Sequence, residues 1–150
     1  MPTDAYFSRP PAANQLIIPA GKPPLLIASL GPLRGGSYVL FAKAVVVTRQ
    51  DQSGDSAIAQ FSLQAGKFAD SAMTTLWQSK DQGALQPADT VSLQLPVELS
   101  AIRAVPAGQK PRPGQMVRLY CNSLVGTLEV RDIVVTAIRV DTITDLSPAP

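Results

Sequence analysis

The run from Ser37 to Arg49, SYVLFAKAVVVTR, constrains the fold more than any other part of the chain. As a β-strand it has two apolar faces. Alternation places Tyr38, Leu40, Ala42, Ala44 and Val46 on one side. Val39, Phe41, Val45 and Val47 fall on the other, with a single cation, Lys43, among them. An antiparallel strand with one wet face alternates apolar with polar residues. This strand does not, so both faces need cover. One is expected to meet the opposite sheet of a sandwich. In so short a chain, the other is expected to meet a second copy of the same protein. Val39, Phe41, Lys43, Val45 and Val47 are therefore the expected oligomer interface.

Composition supports partial cover of the surface. The chain has 150 residues, of which 45% are apolar and 16% charged. Soluble proteins average roughly 25% charged residues, and interface cores are depleted in charge. The length suits one domain with a real core. Net charge is +2, too balanced for a nucleic-acid binder. Arg103, Lys110, Arg112 and Arg118 form a local excess of cations, but no aromatic residues interleave them as strand-binding proteins require. No apolar run is long enough to span a bilayer, so no membrane partner is expected. The start, MPTDAYFSRPPAANQ, lacks the cationic and apolar regions of a signal peptide. A cytoplasmic protein is expected, or one exported without such a leader.

Turn chemistry divides the chain into short β segments. Gly21-Lys22-Pro23-Pro24 precedes a strand over Leu25–Leu30, and Gly31-Pro32 with Gly35-Gly36 brackets a tight connection into the long strand. Ser56–Gln64, Ser71–Trp77, Thr90–Leu95 and Leu99–Val105 follow as strands, with Pro96 an interruption. Met116–Asn122 is another strand, and Leu128–Ile143 a second long one with a bend expected near Asp132. Pro and Gly recur too often, and β-branched residues dominate the apolar runs too strongly, for helices. Eight to ten short strands mean an all-β sandwich or barrel. Residues 15–145 are expected to form the domain, with tails at 1–14 and 146–150.

Chemistry has few places to sit. The chain contains no histidine, which removes the Ser-His-Asp and Cys-His arrangements and the commonest transition-metal ligand. No phosphate-cradling glycine motif occurs. An enzyme is not expected, nor any cofactor. Asp51 and Asp55, in DQSGD, resemble the opening of a calcium loop, but the segment joins strands and no closing Glu follows at the right distance. A plain turn is the favoured reading. Cys121 shares a strand face with Val117 and Leu119 and is expected to be a buried, inert thiol. Trp77 is a candidate ligand contact that would stack on a sugar, although a lone Trp is more often a packing anchor. Arg139 and Asp141 lie on the strand face of Ile133, Val135, Ala137 and Ile143. Together with Lys43 they have two readings: side chains that snorkel to water, or a charge network across a subunit interface.

The order of segments carries a resemblance. G-S-Y-V-L-F-A-K-A-V-V-V comes early, L-Q-L-P lies in the middle, and M-V-R-L-Y-C-N and D-I-V-V-T-A-I-R-V-D-T-I come near the end. This is similar to small bacterial single-domain jelly-roll proteins that resemble the tumour-necrosis-factor and complement-globular-head superfamily. The resemblance covers roughly residues 15–145. It implies an antiparallel two-sheet jelly roll, a homotrimer, and a binding or scaffold role with a protein or glycan ligand. Two other classes are compatible with such a domain: a structural subunit of a virion- or tail-like assembly, and a carbohydrate-binding lectin.

Overall fold

The computed structural model describes residues 5–8, 16–48, 56–77, 88–99 and 115–141. These form nine strands: β1 (Ala5–Ser8), β2 (Leu16–Ile18), β3 (Leu25–Leu33), β4 (Gly36–Thr48), β5 (Ser56–Ala65), β6 (Phe68–Trp77), β7 (Ala88–Leu99), β8 (Gln115–Val125) and β9 (Leu128–Val140). No helix occurs among the described residues. One sheet, here called sheet A, has the order β1-β9-β4-β7, with β2 also paired to β9. Sheet B has the order β3-β8-β5-β6. All pairs are antiparallel. From β3 to β9 the chain changes sheet at every connection except β5–β6, the crossing pattern of a jelly roll.

Period-two alternation builds the core. Tyr38, Leu40, Ala42, Ala44 and Val46 of β4 are all buried, as the pattern of the long strand requires. They meet Phe61 and Leu63 of β5, and Val117, Leu119 and Cys121 of β8, from the other sheet. Val91, Leu93, Leu95, Val97 and Leu99 of β7 complete the layer. At the open side of the sandwich, β6 and β7 face each other across the sheets without a ladder. Side chains tie them: Thr74 Oγ1 donates to the Asp89 carboxylate, and the Gln94 backbone N–H donates to Asp70 Oδ2 at 3.3 Å.

The β5–β6 hairpin turns on Gly66 and Lys67, between the paired residues Ala65 and Phe68. Gly66 has φ +58°, and among the described residues the only non-glycine with positive φ is Asp132. Positive φ at the first turn position alone matches a type II′ turn, which places Gly there.

Three boundaries differ from the expectations, and the expected bend takes a definite form. The segment expected to be an N-terminal tail contains β1, which pairs with β9 from Ala5↔Ile138 to Ser8↔Val135. Four residues carry little propensity of their own, so this strand exists because the β9 edge is there to pair with. β3 runs through Gly31-Pro32 to Leu33 instead of ending at Leu30, absorbing the irregularity as a register shift between Leu30 and Leu33. β7 likewise continues through Pro96, which pairs with Val39. Its strand has only β4 as a sheet neighbour, and an edge strand has a side that needs no ladder donor. The bend expected near Asp132 is a bulge: Asp132 has φ 51°, and the β4–β9 register shifts between Lys43 and Val45.

Candidate functional site

The two outer faces of the sandwich are chemically different. On sheet A, register places residues in rows across the strands. Phe7 of β1, Thr136 of β9, Phe41 of β4 and Gln94 of β7 form one row. Ala5, Ile138, Val39 and Pro96 form the next. Val134, Lys43 and Ser92 lie on the other side, followed by Arg131, Val45 and Thr90. Ile17, Glu129 and Val47 come last. The apolar residues concentrate on β1, β9 and β4, while β7 contributes a polar margin.

Much of this apolar surface is open. Phe7 is 69% exposed, Ile17 51% and Phe41 37%. Val39, Val45, Val134 and Ile138 are half-buried, and Val47 is buried. Lys43 is exposed in the middle of the face. Beside it, Arg131 Nη2 donates to Glu129 Oε2 at 2.7 Å. Glu129 is buried, so this ion pair is shielded more than a surface pair.

The expected interface residues therefore divide. Val39, Phe41, Lys43, Val45 and Val47 do share one outer face. Arg139 does not join them. It stands opposite Tyr38, at the end of the inward row of Ile133, Val135 and Ala137. Its guanidinium lies over Gly36, where an added Cβ would meet Nε at 3.2 Å. Asp141 is exposed just beyond the end of β9. Lys43 and Arg139 thus stand on opposite faces of sheet A, because β9 presents its odd-numbered residues inward after the bulge. Sequence reasoning missed Phe7, Ile17, Val134 and Ile138. The β9 pair carried a legible signal: Val134, Ile138 and Val140 make a second apolar face on that strand, as in β4.

Cys121 is completely buried, and desolvation pushes its thiol up to about 12 from an ordinary value of 9.0. At neutral pH it is a packing group. Trp77 closes β6 opposite Ser56. Asp51 and Asp55 lie outside the described residues. Among the described residues, no three His, Cys, Asp or Glu side chains converge as a metal site. Among the described residues, no helix is long and apolar enough to cross a membrane.

The outer face of sheet B is polar along β5 and β8, with exposed Leu26 on β3 and Met73 on β6 at its two sides. Gln60, Ser62 and Gln64 of β5 and Tyr120 and Asn122 of β8, with Pro24 ahead of β3, line a groove of about 430 Å³. Ser62 pairs with Tyr120 and Gln60 with Asn122, so strand register sets the lining.

No family model matches the sequence, and no curated protein does. The fold does have solved counterparts. The chain is similar to the structure of the Eiger TNF of S. frugiperda, with a TM-score of 0.53 over 100% of both chains at 8% sequence identity. At that identity the likeness concerns architecture: the chain has a tumour-necrosis-factor-like jelly-roll fold.

Proposed function

We propose that this protein is a non-enzymatic, homo-oligomeric binding or scaffold module, assembling as a trimer through the outer face of sheet A. The observation that carries this is the continuous apolar surface across β1, β9 and β4 on the outer face of sheet A. Sheet A exposes Phe7, Ile17 and Phe41 around half-buried Val39, Val45 and Ile138, whereas on sheet B the exposed Leu26 and Met73 sit on the outer strands β3 and β6 with the polar residues of β5 and β8 between them. Contiguous exposed apolar surface marks an interaction site. The face sets Phe41 on the interior strand β4 with a polar margin on β7, as interface cores and rims do.

The tumour-necrosis-factor-like fold favours closed self-association in general, and threefold closure is the form proposed here. Lys43 fits the reading as a side chain whose aliphatic stem covers apolar surface while its ammonium reaches the rim. The absence of histidine, and the lack of a converging acid or thiol cluster among the described residues, favour binding over catalysis. Light scattering coupled to size-exclusion chromatography tests assembly. A mass three times that of the 15.8 kDa chain is expected at micromolar concentration. A monomer at that concentration would overturn the proposal.

A further inference from the structure

The geometry points to the groove on the outer face of sheet B as a binding site for a neutral oligosaccharide, lined by Gln60, Ser62, Gln64, Tyr120, Asn122 and Pro24. Its lining has no carboxylate, ammonium or guanidinium. The lining itself therefore recognises by hydrogen bonds, with Arg118, exposed opposite Gln64 on the same face, standing at its margin. Three primary amides and two hydroxyls offer donors and acceptors together. A sugar hydroxyl is itself both donor and acceptor, so this mixture suits a polyhydroxylated ligand. Tyr120 and Pro24 add apolar surface able to pack against the C–H face of a pyranose ring, leaving the phenol hydroxyl free to bond. A groove of about 430 Å³ has room for a short oligosaccharide segment.

The site is held by regular strands. Phe61, Leu63, Leu119 and Cys121 are fully buried between the lining residues on β5 and β8, and this fixes which side chains face outward. Gln64 Nε2 donates to Ser62 Oγ at 3.1 Å, which orients two of the polar groups before any ligand arrives. Sites on strands locked by a packed core are better preorganised than sites on loops. The groove also lies on the sheet opposite the proposed assembly face. Assembly through sheet A leaves it open in every copy, so weak single-site binding would become multivalent. This inference names a ligand class for the binding module proposed above and rests on that reading for its multivalency alone.

The test is a nitrogen-15 chemical-shift titration of the full chain with cellohexaose, mannohexaose and chitohexaose, with a heparin hexasaccharide and an unglycosylated Ser/Gln peptide as comparison ligands. Light scattering is run on the same samples. Saturable shifts centred on Gln60, Ser62, Tyr120 and Asn122 with a neutral sugar are expected. Tyr120→Ala should weaken binding about tenfold or more, and Tyr120→Phe should retain most of it. Gln60→Ala, checked for a native β spectrum, provides a second variant and should also weaken binding. No saturable shift with any of the three neutral sugars would overturn the inference. So would tighter binding of heparin or the peptide, or shifts centred away from the groove. An oligomer that binds none of the sugars overturns only this inference, whereas a monomer that binds one overturns only the assembly proposal.

Discussion

Phe7 and Phe41 flank Thr136 from opposite sides in a single row on the outer face of sheet A. They come from strands 34 residues apart in the chain (41 − 7), and β9 holds them on one surface. Both rings are open, while the core side of the same sheet is closed over Leu40, Ala42, Val135 and Ala137. This relationship makes the assembly face separable from the core by mutation.

Phe41→Asp is expected to give a folded monomer. The side chain stands on the outer face, so a single protomer can solvate the new carboxylate, but an assembly must bury it unpaired. That burial costs several kcal/mol, on the order of 3 or more per protomer. The check is mass by light scattering together with a native β spectrum. Val45→Asp should act in the same direction, since Val45 lies two residues along the same strand face beyond Lys43.

Phe61→Ala should instead destabilise the fold itself. Phe61 is completely buried between the sheets, and removing its ring leaves a cavity. A loss of about 3–5 kcal/mol is expected by denaturant unfolding. Phe41→Ala, on the opposite kind of face, should weaken assembly while changing the stability of an isolated protomer by less than about 1.5 kcal/mol.

Cys121 yields a pH prediction. Its thiol titrates near 9.0 when unfolded and at about 12 in the fold. Below pH 9 both states hold the proton, so the thiol contributes no slope. Above pH 9 the unfolded state releases its proton first, and stability falls by up to about 1.4 kcal/mol per pH unit until the folded thiol also ionises. Unfolding midpoints compared between pH 7 and pH 10.5 should show a steeper loss for the native chain than for Cys121→Ala. Maleimide should label the native thiol slowly and the unfolded thiol quickly.

Gly66→Ala should cost about 1–2 kcal/mol without altering assembly. Gly66 has φ +58°, where an L side chain is strained, and its new Cβ would sit 3.2 Å from Gln115 Oε1. Thermal unfolding of the variant is the measurement, with the neighbouring Lys67→Ala expected to be near neutral.

Local pattern alone made the β architecture legible. A side-chain period of two is a property of the extended backbone, so Tyr38, Leu40, Ala42, Ala44 and Val46 announce an inward face before any partner strand is known. The same logic exposed the second apolar face of β4 and the burial of Cys121. The sequence also marked a bend near Asp132. What local pattern does not contain is pairing between distant segments. Phe7 joined the face of Phe41 only because β9 runs between their strands. Arg139 lies apart from Lys43 because the face it shares with Ile133, Val135 and Ala137 packs inward while Lys43 stands outward. The groove of sheet B arose in the same way, since Gln60 and Asn122 are neighbours only through the β5–β8 register. The chain's own periodicity determined which strands form and which of their residues seek cover. Tertiary register decided which residues share a surface, because a shift of one residue exchanges the two faces of a strand.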